Sequence, residues 1–180
     1  MPIRKLAPPD RGPLEALLRA DDTFNPDEIA VALELIDSAI QHPERDYHAL
    51  VCEGLGDVPI AGYVCFGPTP MTEGTWDLYW VATHRLARGR GVATRLVAEM
   101  EDLLHRRGAR LVRIETSQLE SYGAARNFYE RLGYREVGRI PDFYRPGDDL
   151  VTFARRIDLA LERGEPLRET PLRTRGASAL

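Results

Sequence analysis

Residues 87–96 of the chain read ARGRGVATRL. This stretch joins a strand-like segment, WDLYWVAT at 76–83, to the start of a helical pattern. The first N–H groups of a helix have no partner inside the helix and carry partial positive charge. Gly89 and Gly91 would let a ligand approach that backbone closely. We therefore expect the turn to bind a phosphate, although a surface turn with solvated arginines would have the same sequence.

Two familiar phosphate-binding loops do not match this turn. The mononucleotide P-loop ends in Gly-Lys-Ser/Thr, and the stretch contains no lysine. The dinucleotide fingerprint needs a third glycine at fixed spacing, which is missing here. The turn therefore points to a phosphate site of another kind.

On both sides of the turn, the sequence alternates between helical and extended patterns. The helix that follows it places Val92, Leu96, Met100 and Leu103 or Leu104 on one stripe. The remaining predicted helices are 12–20, 26–41 with Asn25 as N-cap, and 124–132; the predicted strands are 47–53, 59–67, 76–83, 111–117, 134–140 and 150–157. We expect a parallel strand–helix–strand unit over 76–117, an antiparallel meander before it, and a loop at 141–149.

Bulk composition sets the broad class of protein. The chain has 180 residues and a net charge of −4, which argues against a general nucleic-acid binder. It has no apolar run of membrane-spanning length and no secretory leader, so we predict no membrane partner and a cytoplasmic location. We expect one domain over 1–158 and a poorly ordered or extended tail over 159–180.

Cysteine and histidine usage gives no sign of metal or thiol chemistry. Cys52 and Cys65 lie in apolar runs and are expected to be buried free thiols, with a disulfide left open. The four histidines are scattered without ligand spacing, so no metal is expected.

Two separated motifs together resemble one known family. Arg88-x-x-Gly91-x-Ala93, between a strand and a helix, and RNFYERLGYREVG at 126–138 are similar to motifs of the GCN5-related N-acetyltransferases (GNAT). The order of elements from residue 3 to about 157 also matches. The resemblance implies an α+β (α/β) fold: a mixed sheet of about six to seven strands with a splayed parallel pair, flanked by about four helices. Its fourth strand would carry a bulge.

The resemblance also implies acetyl-CoA as co-substrate. The fourth strand would pair with the pantetheine arm, the turn would bind the pyrophosphate, and an asparagine on the later helix would contact the arm. The matching positions are Val81, Ala82 and Thr83; Arg88, Gly89, Arg90, Gly91, Val92, Ala93 and Thr94; and Asn127.

The same resemblance suggests catalytic roles. Tyr129 matches the residue near the acyl-CoA sulfur, which would protonate the departing thiolate. Asp77 and Glu115 are both candidate bases, and either could instead be a strand charge with a structural partner. Glu120 and Tyr122 are weaker candidates.

The acceptor side follows from the fold that the resemblance implies. It would lie between the loop of the first two helices and the last hairpin, with Phe24, Asp142, Phe143 and Tyr144 as candidate contacts. Acidic residues there would suit a cationic amine, but aspartates in turns also stabilise turns. A small-molecule amine is favoured over a protein N-terminus or lysine. A non-catalytic acyl-CoA sensor and a homodimer formed near the last strands stay open.

Overall fold

The computed structural model describes residues 1–43, 45–54 and 56–158. The strands are β1 (Ile3–Lys5), β2 (His48–Glu53), β3 (Ile60–Pro68), β4 (Thr75–Thr83), β5 (Leu111–Ser117), β6 (Arg135–Arg145) and β7 (Asp148–Arg156). The helices are α1 (Arg11–Arg19), α2 (Pro26–Gln41), α3 (Val92–Arg106) and α4 (Gly123–Arg131). The predicted tail at 159–180 lies outside the described residues.

The seven strands form one mixed sheet in the order β1-β2-β3-β4-β5-β7-β6. The first four strands are antiparallel neighbours, and β4 and β5 are parallel, as the sequence predicted. The β4–β5 ladder covers only Thr75–Asp77 against Leu111–Arg113. Beyond these three residue pairs the two strands separate, so the expected splay is confirmed.

The two faces of the sheet carry two separate apolar cores. Leu96, Met100 and Leu104 of α3 pack on one face, and Leu14 and Ile36 of α1 and α2 pack on the other. The stripe predicted for α3 is therefore the buried one. Asn25 caps α2 as predicted: its side chain accepts the Glu28 N–H, and the Glu28 carboxylate accepts the Asn25 N–H.

Three local features differ from the sequence reading or complete it. Strand β1 was not predicted, because three residues are too few to show a period. The predicted loop at 141–149 is largely strand, since β6 continues to Arg145 and the turn consists of Pro146 and Gly147, with Gly147 at φ 80°. Cys52 and Cys65 are free and buried, and they belong to the cores on opposite faces of the sheet.

Within the described ranges, no helix is both long and apolar enough to cross a bilayer. Those ranges also contain no group of three His, Cys, Asp or Glu side chains arranged to hold a metal ion.

Candidate active site

The gap between β4 and β5 opens into a cavity of about 400 Å³. The bulge predicted for β4 is present at Tyr79: Trp80 pairs with Cys65 and Leu78 with Phe66, which leaves Tyr79 without a partner on β3. Past the bulge, one edge of β4 pairs with β3 and the other faces the gap. An extended ligand could therefore add to this edge as a strand.

Five parts of the chain line the cavity. They are the α1–α2 connection, β4, the Gly-Arg turn with the start of α3, the segment from β5 through α4, and the β6–β7 hairpin. Its lining residues are Asp21, Thr23, Phe24, Tyr79, Trp80, Val81, Ala82, Thr83, Arg88, Ala93, Glu115, Thr116, Ser117, Ser121, Tyr122, Ala124, Ala125, Phe128, Tyr129 and Tyr144. At about 400 Å³ it falls within the size range of small-molecule sites.

A second cavity of about 230 Å³ lies at the Gly-Arg turn. Its lining residues are Thr83, Ala87, Arg88, Gly89, Gly91, Val92, Ala93, Thr94, Phe128 and Arg131. Four of these, Thr83, Arg88, Ala93 and Phe128, also line the first cavity, so the two spaces adjoin.

The backbone of the turn has the conformation that an anion site needs. Gly89 and Gly91 both have φ 73°, a left-handed conformation that glycine adopts without strain. A Cβ at either position would have no atom within 4 Å, so the turn faces open space. Gly91 is the N-cap of α3 and its carbonyl accepts the Arg95 N–H, which leaves the preceding N–H groups at the helix start directed outward. The Arg90 N–H is an exception, because it donates to the Ala87 carbonyl.

The two arginines of the turn lie in different places. Arg88 lines both cavities, whereas Arg90 lines a separate depression beside Met1 and Leu86. Arg131, at the end of α4, reaches the cavity at the turn and was not singled out in the sequence. Arg131 and Tyr129, two positions earlier on α4, line parts of the same adjoining space.

Tyr129 lines the first cavity and is 7% exposed. Its ring packs against Phe128, Tyr134 and Phe153, which hold it in place. Burial raises the pKa of the Tyr129 phenol above its ordinary value, so the hydroxyl stays protonated at physiological pH. A buried, protonated phenol in the gap between β4 and β5 can donate a proton to a group bound there.

The Leu-Gly-Tyr turn after α4 fixes the position of Tyr129. Gly133 has φ 85° and ends the helix, and the Tyr134 N–H donates to the Tyr129 carbonyl. The Tyr134 hydroxyl donates to Glu101 on α3 at 2.7 Å, and Arg155 donates to the other oxygen of that carboxylate. This buried network joins α4 to α3 and to β7.

The two candidate bases have different surroundings. Asp77 is buried at the paired end of β4, where its carboxylate accepts hydrogen bonds from Arg113 Nε at 2.6 Å and Thr69 Oγ1 at 2.9 Å. It is absent from the residues that line the cavity. Glu115 is exposed, lines the cavity and accepts one hydrogen bond from Arg113 Nη1 at 3.1 Å. Of the two carboxylates, the structure brings Glu115 together with Tyr129.

Of the other predicted binding residues, some line the cavity and others do not. Phe24 and Tyr144 line the cavity, and Phe24 packs against Trp80 with ring centroids 5.5 Å apart. Asp142 and Phe143 do not line it. Asp142 supports the hairpin instead, because its carboxylate accepts the Gly147 N–H, and Phe143 is 53% exposed. Asn127 is exposed on α4 and lines neither cavity.

Two polar side chains that the sequence reading ranked low or passed over also face the cavity. Tyr122 donates a hydrogen bond to Glu28 at the start of α2, and burial together with this bond raises the pKa of its phenol. The indole Nε1 of Trp80 is buried and has no hydrogen-bond acceptor among the described residues. A buried donor without an acceptor costs stability.

Comparison with known proteins agrees with this arrangement. Residues 14–134 match the model of the Acetyltransferase (GNAT) family. A crystal structure of a protein from Desulfovibrio desulfuricans assigned to that family is 35% identical, with a TM-score of 0.81 over 87% of this chain and 98% of that one.

Two further relatives extend the comparison. Aminoglycoside 6'-N-acetyltransferase complexed with coenzyme A has the same fold, with a TM-score of 0.67 over 87% of this chain and 97% of that one, at 20% identity. N-alpha-acetyltransferase 30 of Schizosaccharomyces pombe is 39% identical over 66 residues. That match covers 37% of this chain and 43% of the yeast protein, so it spans less than half of the relative's length.

Proposed function

The chain belongs to the GNAT family of acetyltransferases, and from that premise we propose that it transfers an acetyl group from acetyl-CoA to the primary amine of a small molecule. The observation that carries the proposal is the buried Tyr129 phenol in the gap between β4 and β5, adjoining the cavity at the Gly-Arg turn. An open strand edge, a glycine turn at a helix start and a buried phenol along adjoining spaces support the proposal.

The residues present fit a CoA thioester. The open edge of β4 at Val81–Thr83 offers main-chain groups to the amides of a pantetheine arm, and the N–H groups of Gly91 to Thr94 face the space where a pyrophosphate would lie. Arg88 and Arg131 line that space and supply positive charge. Bound there, acetyl-CoA would supply the activated acyl group and a thiolate leaving group.

Two side chains of the protein would then transfer protons, one as an acid and one as a base. The amine nitrogen forms a bond to the thioester carbonyl carbon, and the carbon–sulfur bond breaks. Tyr129 gives its hydroxyl proton to the departing sulfur. Glu115, which faces the same cavity, takes a proton from the attacking amine, directly or through one water. Asp77 is not assigned this role, because Arg113 and Thr69 occupy its carboxylate at the closed end of the strand pair.

The acceptor end of the cavity favours a compact, cationic amine. Aromatic rings of Phe24, Trp80 and Tyr144 supply apolar walls, while Asp21 and Glu115, each paired with an arginine, supply carboxylate oxygens. Free amines are mainly protonated at pH 7, and carboxylates attract this ammonium form. They would therefore raise the local concentration of the acceptor amine before it loses its proton.

The match to the yeast N-alpha-acetyltransferase makes a protein N-terminus the second candidate acceptor. The test is an assay of thiol release from acetyl-CoA with a panel of amino acids, polyamines, kanamycin and short peptides with free N-termini, followed by mass spectrometry of the acylated product. Acetylation of one of the small amines supports the proposal. Acetylation confined to the peptides would replace the small-molecule acceptor, and thiol release from none of them would contradict amine acetyl transfer.

A further inference from the structure

An ion pair crosses the cavity between the α1–α2 connection and the Gly-Arg turn. Arg88 Nη2 lies 2.7 Å from Asp21 Oδ2, and the other oxygen of that carboxylate accepts the Thr23 N–H at 3.1 Å. The Asp21 side chain is 9% exposed, whereas the Arg88 side chain is 51% exposed. Asp21 is therefore held in the wall, and Arg88 is the partner that is free to turn.

Arg88 is the arginine of the turn that both cavities share. It lines the cavity between β4 and β5 and the cavity around Gly89 to Thr94, while Arg90 lines a depression elsewhere. Arg88 thus contacts the carboxylate of Asp21 and also lines the space assigned to a pyrophosphate. A guanidinium binds phosphate and carboxylate oxygens with similar geometry, so the two anions are alternative partners.

We propose that Asp21 is an internal competitor for the donor's pyrophosphate. In the absence of the donor its carboxylate holds Arg88, and donor binding requires the guanidinium to exchange that carboxylate for the pyrophosphate. Asp21 thereby sets the affinity for CoA and its thioesters, although it belongs to the wall of the acceptor end. The proposal rests on the proposed function, since it takes the cavity at the turn to be the pyrophosphate site.

Charge balance explains why the exchange proceeds. A pyrophosphate linkage carries two negative charges and several oxygens, and in this cavity it would accept hydrogen bonds from main-chain N–H groups at the start of α3. Asp21 offers a single charge and already accepts the Thr23 N–H. The donor therefore displaces Asp21 from Arg88, and its binding free energy is reduced by the loss of that ion pair. A substitution that removes the ion pair beforehand should make the donor bind more tightly.

The test is calorimetric titration of the full chain and of Asp21→Asn with CoA, 3'-dephospho-CoA and pantetheine at low ionic strength. Asp22→Asn is the matched control, because Asp22 is an exposed neighbour of the same charge. We expect Asp21→Asn to bind CoA and dephospho-CoA about fivefold or more tightly than the parent chain. Pantetheine lacks the pyrophosphate, and its affinity should be unchanged. Asp21→Glu keeps the carboxylate and should return the affinity for CoA toward the parent value.

Several results would overturn the proposal. Equal CoA affinity in the parent chain and Asp21→Asn would show that the ion pair does not compete with the donor. Weaker binding in Asp21→Asn would show that Asp21 holds Arg88 in its binding position. An equal gain in CoA affinity in Asp22→Asn would show that the effect comes from the change in net charge and not from the loss of the ion pair. In all three cases the parent chain still binds CoA and the proposed function stands, whereas failure of the parent chain to bind CoA would remove both.

Discussion

The proposed donor and acceptor sides of the cavity are built from different parts of the chain. On the proposed donor side, one continuous strand–turn–helix segment, 75–106, contributes most of the lining residues, and Phe128 and Arg131 of α4 complete the lining. On the acceptor side, single side chains such as Phe24, Glu115 and Tyr144 come from three elements far apart in the sequence. A binding site made of backbone tolerates changes of side chain, whereas one made of side chains can change its substrate by single substitutions. Tyr129 stands where the two sides meet.

The largest effect is expected at that meeting point. Tyr129→Phe removes the hydroxyl and keeps the ring that packs against Phe153, so the fold should be retained. With an acceptor from the amine panel, we expect kcat to fall about 100-fold or more, the usual contribution of a general acid. The Kd for CoA, measured by calorimetry, should stay within about twofold. Unchanged turnover would contradict the acid role, and an intact CoA site without any turnover in the parent chain would favour a binding module.

Substitutions at the two carboxylates, Glu115 and Asp77, distinguish a role in the reaction from a role in supporting the sheet. Glu115→Gln should lower kcat/KM by about 10- to 100-fold, since it removes the proposed base, which lines the cavity, while the affinity for CoA is unchanged. Asp77→Asn should leave kcat/KM within about threefold. It should instead lower the free energy of unfolding by about 1–2 kcal/mol, because it weakens the hydrogen bonds from Arg113 and Thr69. The reverse pattern in rate assays and urea unfolding would make Asp77 the base.

Two glycines at the ends of α3 test the backbone character of the donor side. Gly91 (φ 73°) precedes the helix and Gly108 (φ 77°) follows it, and a Cβ at either meets no atom within 4 Å. Alanine at either position should cost about 1–2 kcal/mol of stability through the left-handed backbone alone. Gly91→Ala should in addition weaken CoA binding about tenfold, equivalent to about one hydrogen bond. Equal CoA affinity in both variants would show that the turn does not bind the donor through its backbone.

The smallest expected effect concerns the dependence of kcat on pH. A free phenol ionises near pH 10, but burial raises the pKa of Tyr129, so the acid stays protonated and competent above that pH. We therefore expect no loss of kcat attributable to Tyr129 as the pH rises to about 10. Measuring kcat against pH in Tyr129→Phe identifies any fall that arises elsewhere. A fall near pH 10 in the parent chain that is missing in the variant would contradict the raised pKa.

The sequence predicted the strand, turn and helix of the segment 75–106 well, because their features are local. A glycine pair, an apolar stripe with a period of about four residues and the strand before them identify the turn, α3 and β4 without knowledge of distant contacts. The parallel pairing also followed, since a strand–helix–strand unit permits few arrangements, whereas the splay was implied by the resemblance to the GNAT family.

The acceptor side depends on contacts that no local pattern records. Whether Asp77 or Glu115 faces the cavity depends on where β4 and β5 part, which is a property of two strands together. Likewise, the pairing of Arg88 with Asp21 joins segments that the sequence separates widely. The hairpin after β6 was read as a loop because its turn-forming residues are also compatible with a strand that ends in a tight turn.

The most direct test of the central claim is hydrogen–deuterium exchange of the backbone amides with and without CoA. We predict slower exchange at Gly91–Thr94 and at Val81–Thr83 when CoA is bound, and slower exchange at Val81–Thr83 alone when pantetheine is bound. This pattern would show that the backbone of the turn binds the pyrophosphate and that the open edge of β4 binds the arm. CoA binding without slower exchange in the turn would contradict the account.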